Sequence, residues 1–214
     1  MHNNLPDSLI FDMDGTLWDA VETYTSSWNL YFERHLIDKR LTKIELDALM
    51  GLEESQFLEK VLPGFSKSDR MERYKEVVQI QYDLIDNIGG KIYEGVLEYL
   101  PRLHKKYRLF IISNCPEYTI RHFMKFARIE NLILDSMSHG QNYKPKHENI
   151  RSLIDKHHLK APVYIGDTAS DWEQSVKANL PFIFVNYGFG QCDSYHKSFD
   201  SFTELAKFYL GSFM

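Results

Sequence analysis

The sequence predicts an α/β fold: a parallel sheet core flanked by helices, with an inserted α-helical cap domain near its start. Three observations carry this. From Lys91 onward short apolar runs alternate with amphipathic helix patterns, the rhythm of a parallel sheet covered on both faces. Between Ala20 and Gly90 the pattern is almost entirely helical, with no alternating strand signal. Between the start and that block lies one apolar run, Leu9-Ile10-Phe11, which ends in Asp12 and Asp14 and is followed by Gly15 and Thr16. The expected division is a core of residues 1–18 and 91–214 and a cap of residues 19–90.

In chain order, the first strand runs into the Asp-x-Asp-Gly stretch. Val21, Tyr24, Trp28, Tyr31 and Phe32 then recur at helical spacing, and Thr42 with Glu45 three residues on is a capping box opening a helix through Met50. Gly51 breaks that helix, Pro63-Gly64 stops a short one from Glu53 to Leu62, and Gly89-Gly90 ends a long one from Ser68 to Ile88. Beyond the block, strands are expected at Tyr107–Ser113, Leu132–Asp135, Pro162–Ile165 and Pro181–Val185. Helices are expected at Val96–His104, Pro116–Ala127, His147–His158, Thr168–Ala178 and Ser201–Leu210.

Composition bounds the function. The 214 residues are 43% hydrophobic and 14% aromatic, with a net charge of -5. That suits a folded domain with a real core and speaks against non-specific binding to nucleic acid or an anionic membrane. No apolar run is long enough to span a bilayer, and the N-terminal MHNNLPDS lacks the basic and apolar regions of a secretory signal. A cytoplasmic location follows as an expectation. Cys115 and Cys192 are then expected as reduced thiols, and two cysteines are too few for a cysteine-built zinc site. The nine histidines show no ligand spacing.

Parallel sheets place ligands at the carboxyl ends of their strands. The residues there are polar: Asp12 and Asp14 after the first strand, Ser113-Asn114 after the second, Lys144-Pro145 beyond the third, and Gly166-Asp167 with Asp171 after the fourth. Each has a plain reading as a turn, a solvated lysine or a helix-start carboxylate. Their convergence on one edge favours chemistry. Two carboxylates so close raise each other's pKa unless a cation or phosphoryl group lies between them.

These residues, Asp12-Met13-Asp14-Gly15-Thr16, Ser113-Asn114, Lys144-Pro145 and Gly166-Asp167-Thr168-Ala169-Ser170-Asp171, occur in the order found in a known family. The chain resembles the haloacid dehalogenase-like phosphohydrolases with a helical cap, in the phosphoglycolate phosphatase-like branch. The resemblance implies a Rossmann-like core and a Mg²⁺-dependent phosphatase of small phosphorylated metabolites. Asp12 is expected as nucleophile, Asp14 as acid and base, and Lys144 as the positive charge on the phosphoryl group. Ser113, Asn114 and Gly15 are expected to bind substrate. Asp12, Asp167 and the Asp14 carbonyl are expected to hold the metal, with Asp171 behind them.

The chain departs from the family pattern at Glu94 and His147, where prolines are usual, and at Asn179, where a glycine is usual. Asp14 is replaced in the dehalogenases themselves, so its presence argues for phosphate chemistry. Glu53 and Glu54 follow Gly51 in the segment that resembles the specificity loop. They predict weak activity on substrates with a second anionic group, though glutamates also suit a helix start. The rival readings are a sugar phosphomutase, a receiver-type phosphorylation switch, and a non-catalytic binding protein on the same fold.

Overall fold

The computed structural model describes residues 5–211, so the first four residues of the N-terminal stretch read for a signal lie outside it. The chain forms β1 (Ser8–Phe11), β2 (Trp18–Asp19), α1 (Val21–Arg34), α2 (Lys43–Asp47), α3 (Glu54–Val61), α4 (Lys67–Asn87) and β3 (Lys91–Ile92). Then come α5 (Val96–His104), β4 (Arg108–Ser113), α6 (Thr119–Ala127), a 3₁₀ turn at Glu130–Leu132, β5 (Asp135–Ser138), α7 (His139–Asn142) and α8 (Lys146–His157). The last elements are β6 (Pro162–Gly166), α9 (Ala169–Lys177), β7 (Phe182–Val185), β8 (Lys197–Phe199) and α10 (Phe202–Leu210).

Six strands form one sheet in the order β5-β4-β1-β6-β7-β8, every neighbouring pair parallel. The side-chain period of two explains why both faces are apolar. Leu9, Phe11, Leu109 and Ile111 enter the core on one face, while Ile10, Phe110, Ile112 and Tyr164 enter the core on the other. Leu9, Ile10 and Phe11 are each 0% exposed. Burial of that completeness contributes about 1.5–3 kcal/mol per large apolar side chain, so β1 anchors the centre of the sheet and holds its carboxyl end rigid.

The helices α1 to α4 leave and rejoin the core through β2 and β3, which pair antiparallel, Trp18 with Ile92 and Asp19 with Lys91. Trp18 is wholly buried there, its ring 4.6 Å from that of Phe123 on α6. The Thr42–Glu45 capping box forms as predicted. Inside the block Trp28 gathers Phe32, Phe57 and Tyr74, and stacks on the last at 5.9 Å.

Three expectations needed correction. The apolar Leu132-Ile133-Leu134 is not strand: Glu130–Leu132 is a 3₁₀ turn, and β5 begins at Asp135. β5 is a sheet edge with one paired side, so its sequence, Asp-Ser-Met-Ser, is not obliged to be apolar. β8 lies at the other edge and was not foreseen for the same reason. Finally, α6 starts at Thr119 and not at Pro116, whose carbonyl instead closes a turn with the Thr119 N–H.

Candidate active site

The site assembles where three adjacent parallel strands end together. β1 delivers Asp12, whose N–H bonds the Ile165 carbonyl at 2.8 Å; β4 delivers Ser113; β6 delivers Gly166 and Asp167. Asp12 is 6%, Ser113 4%, Asp167 0% and Asp171 1% exposed. The chain turns sharply after Asp12. Gly15 takes φ +83°, and a Cβ there would lie 2.1 Å from Asp167 Oδ2, so only glycine lets the two loops meet. Gly188 seals the other side, where a Cβ would come within 2.4 Å of both Asp167 Oδ2 and the Gly15 carbonyl.

Every carboxylate is oriented. Asp167 accepts from the Phe189 N–H at 2.8 Å on Oδ2 and from Thr16 Oγ1 at 3.3 Å on Oδ1. Asp171 caps its own helix: its Oδ2 takes the Thr168 N–H and hydroxyl while Thr168 Oγ1 accepts the Asp171 N–H. Its other oxygen accepts Lys146 Nζ at 2.7 Å and Tyr164 Oη at 3.3 Å. Asp14 Oδ1 accepts from both Trp18 Nε1 at 3.1 Å and Tyr24 Oη at 2.8 Å. The second donor comes from α1, so the helical block itself orients Asp14.

The lysine that the structure brings to these carboxylates is Lys146 and not Lys144. Lys144 is exposed; its N–H bonds Asn142 Oδ1 and its carbonyl meets the His139 ring. Lys146 is 7% exposed and reaches Asp12 Oδ1 at 2.8 Å and Asp171 Oδ1 at 2.7 Å. The reason is helical phase. Pro145 is extended, so α8 begins at Lys146. Lys146, Asn149, Ile150 and Leu153 then share the buried face. That spacing is present in the sequence and was the signal the Lys-Pro pair obscured. Tyr24 and Trp18 were also missed as partners of Asp14, because packing accounts equally well for aromatic residues at those positions.

Two of the family departures, His147 and Asn179, have local explanations. His147 uses a backbone N–H, which proline lacks, to donate to Gln174 Oε1 at 3.1 Å. Asn179 adopts φ +60°, the left-handed turn that glycine commonly fills. Ser113 Oγ accepts the Cys115 N–H, and with half-buried Asn114 it lines the cleft. Cys115 and Cys192 are free thiols, and burial pushes the Cys115 thiol up to about 12, which disfavours its thiolate.

The electrostatics of the cluster fit a divalent cation. Asp12, Asp167 and Asp171 can each place one oxygen within 4.8 Å of the others. Burial opposes the charge on the Lys146 ammonium, but Asp12 and Asp171 together hold it protonated, well above its ordinary value. One lysine cannot balance the cluster. Burial, with the charges of Asp171 and Asp167 beside it, drives Asp12 well above the usual carboxylate range despite Lys146. Burial and the Asp171 charge raise Asp167 to about 7. Burial raises Asp14 to about 6, held back by its bonds to Tyr24 and Trp18. Crowded hard oxygen donors with this surplus of negative charge are what Mg²⁺ or a similar ion neutralises. The Asp14 carboxylate is not in the three-residue group, since it turns toward α1.

A cleft lies between these residues and the helical block. The core side presents Asp12, Ser113, Asn114, Lys146 and Thr168; the block presents Trp28, Met50, Phe57 and Tyr74. The Met50–Leu52 loop stands over the core, so that a Cβ on Gly51 would contact Thr168 at 3.6 Å.

The fold recurs in known structures. A predicted phosphoglycolate phosphatase from Haemophilus somnus superposes with a TM-score of 0.82 at 19% identity, covering 97% of this chain and 99% of that one. CbbY from Rhodobacter sphaeroides, crystallised with xylulose-1,5-bisphosphate, gives 0.80 at 14% identity over 94% of this chain and 96% of that one. In sequence, the chain is 25% identical to the pyrophosphatase PpaX of Listeria monocytogenes over 179 residues, 80% of this chain and 79% of that protein. The family pattern of haloacid dehalogenase-like hydrolases matches residues 9–185, from β1 through β7 and so across Asp12, Asp14, Ser113, Lys146, Asp167 and Asp171. By that match the chain belongs to the haloacid dehalogenase-like hydrolases.

Proposed function

We propose that the chain is a Mg²⁺-dependent phosphomonoester hydrolase of small soluble metabolites, working in the cytoplasm through an aspartyl-phosphate on Asp12. The observation that carries this is the buried Asp12 carboxylate, tied to Lys146 at 2.8 Å and crowded by Asp167 and Asp171, at the floor of a cleft. A buried carboxylate so placed is a nucleophile with its electrostatic partners around it.

Asp12 Oδ1 is engaged by Lys146, so Oδ2 attacks phosphorus. The bond from phosphorus to the ester oxygen breaks, and Asp14 donates its proton to that leaving oxygen. Both donors to Asp14 bind Oδ1, so Oδ2 is the oxygen that carries the proton. A pKa near 6 leaves a usable fraction of Asp14 protonated at neutrality. Asp14 then takes a proton from water, the water oxygen attacks phosphorus, and phosphate leaves with Asp12 regenerated. Lys146 neutralises charge on the transferring group, and Ser113 and Asn114 position it. Asp12, Asp167 and the Asp14 carbonyl would hold Mg²⁺, with Asp171 fixing Lys146 behind them. The ion would supply positive charge to the phosphoryl oxygens. Residues 19–90 serve as a lid that excludes bulk water.

The test is phosphate release from a metabolite panel with Mg²⁺, wild type beside Asp12→Asn. The names of relatives make pyrophosphate and phosphoglycolate natural members of that panel. Activity in wild type and its loss in Asp12→Asn supports the reading. A rearranged sugar phosphate without free phosphate would support a mutase, and silence across the panel would favour a binding protein.

A further inference from the structure

We infer that the leaving group of the substrate is an apolar body with an uncharged or cationic hydrogen-bonding group, and that the cleft rejects a second anion. This rests on the phosphatase reading above and names the substrate class of that site.

The first ground is charge. The cleft is lined by the carboxylates of Asp12, Asp14, Asp171 and Glu54, with Lys146 as the one cation among its described residues. The Lys146 ammonium is committed to Asp12 and Asp171 at 2.8 and 2.7 Å. A metal ion would compensate the phosphoryl end alone. A carboxylate or second phosphate on the leaving group would find no counter-charge, and would approach half-buried Glu54 at the start of α3. Like charges brought together in a poorly solvated cleft repel strongly.

The second ground is the unused polarity of the helical block. Gln81 on α4 is 6% exposed, lines the cleft, and its amide has no hydrogen-bond partner among the described residues. The Tyr74 hydroxyl, also on the cleft, is equally without one. A side-chain amide open on a cleft offers two N–H donors and an acceptor oxygen to a ligand. Around them the wall is apolar: Trp28, Leu49, Met50 and Phe57. Such a wall suits carbon, and Gln81, Tyr74 and Glu54 suit a hydroxyl, amide or ammonium at its far end.

Four phosphate esters of one shape test this: phenyl phosphate and its 4-hydroxymethyl, 4-aminomethyl and 4-carboxy derivatives, assayed with Mg²⁺ by phosphate release. The 4-carboxy ester is expected to show kcat/KM at least ~10-fold below the 4-hydroxymethyl and 4-aminomethyl esters, equivalent to about 1.4 kcal/mol. Glu54→Lys should reverse the ratio of the 4-aminomethyl to the 4-carboxy ester. Gln81→Leu should bring the ratio of the 4-hydroxymethyl ester to phenyl phosphate toward one. A 4-carboxy ester turned over as well as the others overturns the inference while leaving the phosphatase intact. If none is hydrolysed, calorimetric titration of the Asp12→Asn protein with the same esters decides the selectivity alone. Tenfold weaker binding of the 4-carboxy ester upholds it; equal binding, or no binding of any, overturns it.

Discussion

Replacing Lys146 with methionine keeps most of the unbranched apolar stem and removes its charge. Lys146 stands 2.8 Å from Asp12 and 2.7 Å from Asp171, and at an effective dielectric near 20 each pair carries a gross attraction of about 6 kcal/mol. Desolvation of the three buried ions offsets much of that, and removing one partner of a buried pair leaves a net loss of about 3–5 kcal/mol. The carboxylates recover part of it by taking up protons, since Asp12 and Asp167 are already raised. We therefore expect about 3 kcal/mol of destabilisation, a fall in Tm of about 6–12 °C for a domain this size. Added Mg²⁺ should restore part of it, because the ion replaces the missing positive charge. Loss of one electrostatic stabiliser of the transition state lowers kcat by about 10²–10³-fold. The control is Lys144→Met at an exposed position, expected within about twofold of wild type. The measurements are phosphate release and thermal unfolding with and without Mg²⁺. If Lys144→Met loses activity by orders of magnitude while Lys146→Met retains it, the assignment of Lys146 is wrong.

Three further outcomes follow from the same geometry. Gly188→Ala drives a methyl within 2.4 Å of Asp167 and the Gly15 carbonyl; overpacking should destabilise by about 2 kcal/mol or more and weaken Mg²⁺ binding, as unfolding and metal titration would show. Tyr24→Phe removes one of two donors to Asp14 Oδ1; kcat should fall about 10-fold on alkyl phosphates but under ~3-fold on p-nitrophenyl phosphate, whose leaving oxygen needs little protonation. Equal losses on both would mean Tyr24 only supports the fold. Asp167 is raised to about 7 without metal, above its unfolded value near 3.8. The metal-free fold therefore holds that proton more tightly than the unfolded chain, so its stability is highest below about pH 4 for this group and declines as pH rises through about 7. Metal binding requires the carboxylate, so Mg²⁺ affinity should fall as pH drops below about 7, with proton release on binding that calorimetry in buffers of differing ionisation heat would read.

How much could be read from the chain varied with the range of the interaction. Strands buried on both faces announce themselves, because every residue must be apolar: Leu9-Ile10-Phe11 and Phe182-Ile183-Phe184-Val185 are examples. Edge strands carry no such demand, and β5 and β8 were displaced or missed. Helix starts with local caps, such as Thr42–Glu45, were legible because both partners lie within one turn. Contacts from Tyr24 and Trp18 to Asp14 link an aromatic body to a carboxylate across a bend, and nothing in their spacing separates that bond from ordinary packing.

The sequence by itself determined the α/β class, and it singled out a helical block after the first strand and the carboxylates Asp12, Asp14, Asp167 and Asp171 as candidates for the site. Each follows from periodicity or from charged residues placed just past an apolar run, and both are local properties. Only the tertiary structure decided which lysine lies against those carboxylates. Lys144 and Lys146 differ by two residues, but the helix begins between them. Its phase sends one side chain to water and the other into a cluster built from strands more than a hundred residues apart in the chain. The same holds for the cleft: Gln81 and Glu54 acquire meaning only when α3 and α4 close over β1, because a polar group is unpaired or a charge uncompensated only relative to what surrounds it in space.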